Sequence, residues 1–515
     1  MSTPPRRKLK GQADTTGEAH LDLAALRPGD FHIVRSPGLG PVFFHSTTLY
    51  TATVTPRLGD WLQALEERAD EEVPSVPREI GADLADLLAR VKSQPPAAGA
   101  DQPAHPQATW DPGDYPWANL TLLVTDRCNL RCHYCFEGYT ARRPGRDITR
   151  ETAAAALDCF FDVLFPHAEV YDLHLFGGEP LLAWEMVTWI THEAERRART
   201  KQRPLYLSIS TNAVGLTGEH VHFLREHDFD VSVSLDGPPD VHDRFRPLVG
   251  GRGSFGAVQA GLGHLLAGRP PYSSLCGRLH RGNQDAYRWF LAAYQAARGG
   301  HGVSLELARL SPAHPLALRE QDIPAILRSY RSLADQVAAR LLAGDDTYLG
   351  TLLQGNDYLA RFAMRLVARE ALQRRCGAGA DDFIVATDGR LYACEALVGR
   401  EGLELGDIRH GLMPDRHQPW LALDLGGRAS CRSCWARYLC GGGCYACSLL
   451  AGKDLGSPEP LDCRYTRGLA ELALEMYARL EAQSPGLLAA ALARALARLP
   501  DKHRVFIPEK LAPRD

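Results

Sequence analysis

Strand-like and helix-like segments alternate along the middle of the chain. Six segments have the length and residue types of strands: 119–125, 170–176, 205–211, 230–236, 272–279 and 303–309. Five segments between them show the period of amphipathic helices: 151–164, 181–198, 217–226, 254–267 and 284–298. Thr149, which precedes Glu151, is a suitable N-cap for the first helix.

This alternation predicts an α/β fold. Strand, helix and strand in repetition give parallel strands that are joined by right-handed crossovers. Six such units, rather than the eight of a closed TIM barrel, predict an open, partial (β/α)6 barrel at residues 118–315. Because ligands of such barrels bind at the carboxyl ends of the strands, chemically active residues are expected there.

The regions on either side of the barrel have other patterns. Residues 1–27 are polar and are expected to be disordered, whereas 28–92 combine short strand patterns with helical ones and predict a small α+β domain. The remaining segments are a proline-rich linker at 93–117, a helical bridge at 316–372, a cysteine-rich domain at 373–466 and C-terminal helices at 467–515.

The composition narrows the function classes. With 45% hydrophobic and 23% charged residues, the 515-residue chain suits a soluble protein with a sizeable core. A net charge of −4 gives no reason to expect a nucleic-acid surface. The basic residues near Met1 are not followed by an apolar segment, so we expect no signal peptide and no membrane span. The 13 cysteines fall mainly into two groups, which favours metal or redox chemistry in the cytoplasm over disulfides.

The first cysteine group directly follows the first predicted strand. Cys128, Cys132 and Cys135 form a C-x3-C-x2-C loop, which we call the cysteine triad. Thiolates bind iron–sulfur clusters, and three of them can hold three irons of a cubane while the fourth iron stays open to a small molecule. Structural zinc is the alternative, but it requires four closed ligands and no fourth lies nearby in the sequence.

Three further motifs follow predicted strands. Residues 176–180 read Phe-Gly-Gly-Glu-Pro, where the glycines permit close approach of a ligand and the carboxylate can bind an ammonium group. Residues 208–213 read Ser-Ile-Ser-Thr-Asn-Ala, and residues 232–238 read Ser-Val-Ser-Leu-Asp-Gly-Pro. Simple turns are the alternative for the first and third motifs.

The cysteine triad and these motifs resemble those of the radical SAM enzymes, in which the open iron binds the amino and carboxylate groups of S-adenosylmethionine (SAM). The resemblance implies a SAM-binding [4Fe–4S] cluster on the cysteine triad. It also implies cofactor contacts from Tyr134 along the adenine, from Gly177, Gly178 and Glu179 near the methionine amino group, from Ser210, and from Ser234 and Arg246 at the carboxylate and ribose. Ala213 stands where the family usually has glycine.

The second cysteine group resembles the SPASM domain, which carries auxiliary [4Fe–4S] clusters in peptide-modifying radical SAM enzymes. Its cysteines are Cys376, Cys394, Cys431, Cys434, Cys440, Cys444 and Cys463, with Gly389 between the first two. The resemblance implies two auxiliary clusters, and therefore three clusters in the chain. One would be held by Cys431, Cys434, Cys440 and Cys463, and the other by Cys376, Cys394 and Cys444.

The second auxiliary cluster lacks an obvious fourth ligand. Some relatives have another cysteine six positions after the first, where this chain has Asp382. Cys447, Cys276 and an open iron that binds substrate are the alternatives. Zinc ribbons are the structural alternative for the whole group.

The resemblance implies an enzyme that reductively cleaves SAM and abstracts hydrogen from a ribosomally made precursor peptide, installing a thioether or C–C cross-link. Residues 28–92 favour this interpretation, because relatives often carry a leader-binding module that pairs a peptide with its sheet edge. Glu395, which directly follows Cys394, is the expected catalytic base, because anaerobic sulfatase maturases have a basic aspartate at this position. The alternatives to the peptide maturase are an anaerobic sulfatase maturase that forms formylglycine and a zinc-stabilised peptide-binding protein. The expected partners are the precursor peptide and a flavodoxin- or ferredoxin-type electron donor, with neither nucleic acid nor membrane.

Overall fold

The computed structural model describes residues 23, 26–68, 75–100, 111, 115–135, 145–268, 272–284, 289 and 302–499. Most of the predicted disordered segment 1–27 and most of the predicted helix 284–298 lie outside the described residues. Leu26, at the end of that segment, is buried in the N-terminal core and is therefore ordered, contrary to the prediction. Within the described part, no helix has the length and apolar character needed to cross a membrane.

Six parallel strands form the centre of the molecule and are neighbours in chain order. They are β4 (Trp117–Thr125), β5 (Val170–Gly177), β6 (Leu205–Thr211), β7 (Phe229–Ser234), β8 (Tyr272–Leu279) and β9 (Gly302–Leu307). Their boundaries lie within two residues of those predicted from the sequence, and the predicted α/β partial-barrel architecture is confirmed.

Helices connect these strands. Their bounds are Arg150–Asp158, continued by a π-helix at Cys159–Leu164, then Trp184–Lys201 after a 3₁₀ turn at Pro180–Ala183, Gly218–Glu226, Pro239–Phe245 and Phe255–Gly268. The Thr149 side chain accepts a hydrogen bond from the backbone N–H of Thr152 at 3.1 Å, so Thr149 is the N-cap that the sequence predicts.

The cysteine-rich region extends the central sheet at its β4 edge. Strand β10 (Asp382–Val385) pairs in parallel with β4, and β11 (Arg390–Tyr392), β12 (Gly406–Asp407) and β13 (Gly411–Leu412) continue the sheet in antiparallel fashion. The sheet therefore has ten strands. This pairing was not predicted, because the strands are too short to show a pattern. It covers an edge that would otherwise expose unpaired backbone groups.

The remaining helices surround the second cysteine group. They are Ile323–Leu342, Thr347–Gln354, Tyr358–Ala368, Pro414–Leu421, Ala429–Arg432, Arg437–Cys440, Tyr445–Leu450, Pro460–Gln483 and Leu487–Ala497. Short 3₁₀ turns occur at Arg78–Ile80, Glu320–Asp322 and Glu395–Leu397. The helix Pro460–Gln483 contributes Leu469, Ala473 and Leu480 to the main hydrophobic core, so the C-terminal helices close the bundle formed by the helical bridge.

A second sheet lies in the N-terminal region. Its antiparallel strands are β1 (Phe31–Ser36), β2 (Gly40–His45) and β3 (Tyr50–Thr53), with β2 in the middle, and the helices Pro56–Glu67 and Gly81–Ser93 follow. Side chains alternate between the two faces of a strand. Phe31 and Phe43 accordingly join a local core with those helices, whereas Val42 and Phe44 belong to the main core of the molecule.

This small sheet also contacts the loop that carries Cys434. The ring of His32 stacks on Trp435 with 4.0 Å between ring centroids. Arg437 forms a 2.6 Å ion pair with Asp30 through Nη2 and donates a 2.5 Å hydrogen bond to the carbonyl of Gly29 through Nη1. The N-terminal sheet therefore has its own core and is also fixed to the rest of the protein.

Candidate functional site

A cavity opens at the carboxyl ends of the parallel strands, where the sequence predicts the chemistry. Its lining includes the whole cysteine triad and all seven residues predicted to contact the cofactor: Tyr134, Gly177, Gly178, Glu179, Ser210, Ser234 and Arg246. The structure therefore brings together ten predicted residues that are spread over more than 110 positions of the sequence.

The glycine pair fixes the loop that carries the cysteine triad. The backbone N–H of Gly178 donates to the carbonyl of Thr125 at 2.8 Å, and that of Glu179 donates to the carbonyl of Arg127 at 2.8 Å. A Cβ at Gly177 would overlap the carbonyl oxygen of Thr125, and Gly177 has a φ of 143° that side chains disfavour. Packing of the two loops alone thus requires glycine at this position, in addition to any ligand contact.

Glu179 is completely buried, and its carboxylate is bound by groups of the protein itself. Its oxygens accept hydrogen bonds from the hydroxyl of Thr211 at 2.6 Å and from the backbone N–H groups of Asn212 at 2.7 Å and Leu181 at 3.1 Å. Burial outweighs these donors and raises the pKa of Glu179 to about 7. The carboxylate therefore joins β5 to β6, and its contact with a cofactor ammonium stays a prediction.

Arg246 crosses from its helix to the cysteine loop. Its Nη1 donates to the hydroxyl of Tyr134 at 2.7 Å and lies 3.7 Å from Asp236, to which the Tyr134 hydroxyl also hydrogen-bonds. Arg246 is 7% exposed, and its buried Nε has no hydrogen-bond partner within the described residues. A buried guanidinium with an unsatisfied N–H in a cavity wall is suited to bind an anionic or hydroxyl group of a ligand.

The structure also shows the surroundings of Ser210 and the backbone conformation of Ala213. Ser210 hydrogen-bonds Nε2 of His174 at 3.1 Å, so β5 orients this hydroxyl in the cavity. Ala213 has a φ of 60°, the left-handed conformation that glycine adopts most easily. This explains the usual glycine of the family in backbone terms.

Several residues of the cavity lie outside the motifs that the sequence offers. They include the charged residues Arg278 at the end of β8 and Arg309 just after β9. Arg278 is paired in register with Glu306, and their side chains form an ion pair. Charged residues inside apolar strand patterns were the signal that could have identified this pair.

Arg309 connects this cavity with the second cysteine group. It forms an ion pair with Glu395 and approaches the Sγ of Cys394 to 3.6 Å. Burial disfavours the charged carboxylate, but Arg309, a backbone hydrogen bond and Arg278 together outweigh burial and lower the pKa of Glu395. Glu395 is therefore an ionised partner of Arg309, and its proposed role as a base stays a prediction.

The cysteines of residues 376–463 lie in two neighbourhoods. The first thiol group comprises Cys431, Cys434, Cys440 and Cys463. These thiols lie close enough together that they contribute to the raised pKa values of Cys431, Cys434 and Cys463. Burial raises the pKa of Cys463 to about 12, and the nearby Asp462 and the other thiols of the group add to the shift. This is the set that the SPASM resemblance implies for one cluster.

The second thiol group comprises Cys376, Cys394 and Cys444. Burial raises the pKa of Cys376 to about 11, and the Cys444 thiol contributes to that shift. Cys444 likewise contributes to the raised pKa of Cys394, after burial and Glu395. Within the described residues, no three His, Cys, Asp or Glu side chains converge as ligands of a single metal ion.

The donor chemistry fits iron–sulfur clusters. All 13 cysteines are free thiols, and ten of them belong to the cysteine triad and the two thiol groups. Backbone N–H groups also point to sulfur, as that of Leu130 does toward Cys128 at 3.4 Å. Thiolate ligands with hydrogen bonds to sulfur are the usual environment of such clusters.

Comparison with known proteins agrees with this chemistry. Residues 122–268 match the family model of the Radical SAM superfamily. A mycofactocin maturase MftC of Mycobacterium ulcerans (strain Agy99) is 26% identical over 379 residues, which are 70% of this chain and 91% of that protein. A cysteine-type anaerobic sulfatase-maturating enzyme of Clostridium perfringens (strain 13 / Type A) is 23% identical over 347 residues, which are 64% of this chain and 89% of that enzyme.

A solved structure shows the same fold. The structure titled native anSMEcpe with bound AdoMet matches with a TM-score of 0.57 at 19% identity, covering 72% of this chain and 99% of the other. The chain therefore contains a radical SAM domain and is homologous to the mycofactocin maturase and the anaerobic sulfatase-maturating enzyme.

Proposed function

We propose that this protein is a radical SAM maturase that abstracts hydrogen from a ribosomally made precursor peptide and installs a thioether or C–C cross-link. The observation that carries the proposal is one cavity lined by both the cysteine triad and Arg309. Arg309 forms an ion pair with Glu395, and Glu395 directly follows Cys394 of the second thiol group. Cofactor chemistry and substrate chemistry can then take place within one enclosed space. The homologous mycofactocin maturase supports a peptide substrate.

The cysteine triad would hold a [4Fe–4S] cluster with one iron open to SAM. When bound, the reduced cluster and SAM together supply a 5′-deoxyadenosyl radical that removes hydrogen from an unactivated carbon. The chain contributes orientation and protection. Arg246 and Ser234 offer donors for the carboxylate and ribose, while Tyr134 lies in the wall with its hydroxyl fixed by Asp236. The burial of these groups excludes water from the reacting atoms.

The substrate side of the cavity would be shaped by two ion pairs. Arg278 with Glu306 and Arg309 with Glu395 connect through a 4.0 Å contact between Arg309 and Glu306. These pairs form a polar wall between the radical site and the second thiol group. A peptide that entered here would have both acidic and basic groups available for hydrogen bonding.

The N-terminal sheet is a candidate for leader binding through its β3 edge. Val54 donates to the carbonyl of Pro41 at 3.1 Å, and Ala52 pairs with Phe43 two positions further along. Because hydrogen-bonded and non-hydrogen-bonded pairs alternate in antiparallel sheets, the backbone groups of Thr51 and Thr53 point to the outer edge. An extended leader could add a strand there.

Further cofactors and partners belong to this proposal. The two thiol groups would hold two auxiliary clusters, which makes three clusters in all, and a flavodoxin- or ferredoxin-type protein would supply electrons. All ten proposed ligands are thiols, which both iron–sulfur clusters and structural zinc accept, and the radical SAM match is what supports clusters over zinc. Iron and sulfide analysis of anaerobically purified protein would decide between them. The cytoplasmic location expected from cysteine usage stays a prediction.

Formylglycine formation is the second candidate function. Homology to the cysteine-type sulfatase-maturating enzyme and the acidic residue directly after Cys394 favour it. The N-terminal sheet with its separate core favours the peptide cross-linking function instead, since it gives the chain a surface for a leader peptide.

One assay separates these functions. Reconstituted protein would be incubated anaerobically with SAM, a chemical reductant and either the precursor peptide encoded beside its gene or a cysteine-containing sulfatase peptide. We expect deoxyadenosine in both reactions and a precursor product that lacks two hydrogen atoms. Conversion of the sulfatase peptide to an aldehyde with loss of sulfur would favour the second candidate. Absence of deoxyadenosine in every reaction, with the clusters intact, would contradict both.

A further inference from the structure

The second thiol group has three members where a closed cubane needs four ligands. The sequence leaves three possibilities for the fourth position: Cys447, Cys276 or an iron that stays open. Asp382 occupies the position at which some relatives have cysteine. The positions of these side chains in the fold distinguish the possibilities. A fourth ligand is required because, in the proposed function, this thiol group holds an auxiliary cluster.

Cys447 lies beside a member of the second thiol group. Cys444 is the N-cap of the helix Tyr445–Leu450, and Cys447 follows three residues later in its first turn. Residues three apart in a helix lie on the same face. The thiol of Cys447 hydrogen-bonds that of Cys444, so the two sulfur atoms face the same side of this turn.

The position of Cys444 is itself fixed by other groups. Its backbone N–H donates to Oδ2 of Asp462 at 2.8 Å, and Asp462 is held by Arg375 at 3.2 Å. The first turn of this short helix is therefore anchored on the neighbouring helix Pro460–Gln483. A ligand on this turn would be held in place before the cluster binds.

Cys276 lies in a different environment. It belongs to β8, lines the cavity that contains the cysteine triad and hydrogen-bonds the side chain of Ser304 on the adjacent strand. The charged residue with the largest effect on the Cys276 thiol is Arg278, which lines the same cavity. The thiol is thus placed among residues of the SAM site.

Asp382 is the remaining protein candidate. It starts β10 and pairs with Asn119 of β4, and its carboxyl group lies close enough to affect the pKa of Cys376. A carboxylate is a hard oxygen ligand, whereas iron–sulfur clusters are held mainly by thiolates. A neighbouring free thiol is the better ligand on chemical grounds.

We infer that Cys447 is the fourth thiolate of the second thiol group and closes the auxiliary cluster that this group would hold. Each iron of that cluster then has a ligand from the protein. The substrate peptide accordingly approaches the cluster without binding to one of its irons, and its contacts come from the polar wall of Arg309 and Glu395.

Iron analysis of full-length variants tests this assignment. The background is the variant in which all three cysteines of the triad are alanine, so that any cluster present is auxiliary. Adding Cys447→Ala should remove about half of the iron and sulfide of this background, or convert one cluster to a three-iron form with its own EPR signal. Cys276→Ala should leave both iron and EPR spectrum unchanged and is the matched control.

Two further variants keep the outcome decisive. Cys447→Ser preserves the size of the side chain and should change the EPR spectrum even if Cys447→Ala lowers the yield of folded protein. Full iron and an unaltered spectrum in Cys447→Ser would overturn the inference. The inference would also be overturned if Asp382→Asn lost the cluster while the Cys447 variants kept it.

A small thiol can test whether one iron of this cluster lacks a protein ligand. Added 2-mercaptoethanol should alter the EPR spectrum of the Cys447→Ala protein but not that of the background with Cys447 present. A change in the background would reveal an open iron and overturn the inference while leaving the proposed enzyme function intact. A background that contains no iron at all would overturn both the inference and the proposed auxiliary clusters.

Discussion

The two sides of the cavity are built differently. On the cofactor side, at the ends of β4 to β7, Glu179 is 0% and Arg246 7% exposed, and both are held by hydrogen bonds within the protein. On the substrate side, at the ends of β8 and β9, the side chains of Arg278, Arg309, Glu306 and Glu395 are 23–38% exposed and form ion pairs. A constant ligand suits a rigid, desolvated site, whereas a varied peptide suits charge pairs that can rearrange. SAM cleavage and product formation should therefore depend on different residues.

The largest expected effect is on the cofactor side. Replacement of Cys128, Cys132 or Cys135 by alanine should abolish SAM cleavage, because only this set of thiols leaves one iron open to SAM. The triple variant should keep about two thirds of the wild-type iron if three cubanes are present. Deoxyadenosine analysis and iron determination on the same samples test this. Cleavage of SAM by the triple variant at the wild-type rate would refute the assignment of the triad.

Loss of the Arg246 side chain should weaken SAM binding. Arg246→Gln removes a charged donor whose Nε has no partner among the described residues. Hydrogen bonds to charged groups contribute about 1.5–3 kcal/mol, which corresponds to an increase in the Kd for SAM of about tenfold to a hundredfold. Equilibrium binding to the reconstituted protein measures this change.

The neighbouring Arg244 provides a matched control, because it is exposed and carries the same charge. Arg244→Gln should bind SAM with an affinity close to that of the wild type. Equal weakening by both variants would show a general electrostatic effect in place of a specific contact.

Glu395 should affect the opposite side of the cavity. Glu395→Gln breaks the ion pair with Arg309 and should lower product formation about tenfold or more, while deoxyadenosine formation without substrate stays unchanged. The pH dependence distinguishes a base from a positioning group. Because Arg309 lowers the pKa of Glu395, its charged form is present above the ordinary carboxyl range and is lost only as the pH falls through that lowered pKa.

A positioning role therefore predicts that product formation shows no ionisation of Glu395 near neutral pH. An ionisation near neutral pH that is present in the wild type and absent in Glu395→Gln would instead identify Glu395 as the base. A variant with full product yield would remove Glu395 from the mechanism altogether.

The cofactor side could be predicted from the sequence far better than the substrate side. The triad and its motifs are short, lie at strand ends and have spacings set by the ligand, so each could be recognised locally. Arg309 could not, because its role arises from Glu395, which only the folded chain brings close. Cys447 was one of three alternatives in the sequence, and only the folded chain places its rival Cys276 in the cavity of the cysteine triad.

The same reasoning applies to the fold. The six central strands have six to nine residues each and were predicted within two residues, but β10 has four residues and its pairing with β4 spans more than 250 positions of sequence. The pattern of the N-terminal strands predicted a small α+β domain, with a cap that packs on the next domain as the alternative. Only the folded chain shows that the second face of this sheet packs on the main core through Val42 and Phe44.

Because the N-terminal sheet packs on the main core, the choice of variant matters for a test of the leader-binding role. Deletion of residues 1–92 would remove Val42 and Phe44 from the main core and would also remove the contacts of His32 and Asp30 with Trp435 and Arg437. Such a variant would lose product through misfolding as well as through lost binding. A substitution at the outer edge of β3 avoids this problem.

Thr53→Pro is expected to have the smallest and most selective effect. Thr53 is exposed, its backbone N–H points away from β2, and proline is tolerated on edge strands, so the sheet should remain intact. Loss of one main-chain hydrogen bond to the leader should reduce product about fivefold when the precursor is below saturation, and not when it saturates.

Thr53→Ala keeps the N–H and should match the wild type. Deoxyadenosine formation and turnover of a leaderless core peptide should be unchanged in both variants. If Thr53→Pro processes the full precursor as well as Thr53→Ala at low concentration, this edge does not bind the leader, and the N-terminal sheet serves only to cover the loop of Cys434.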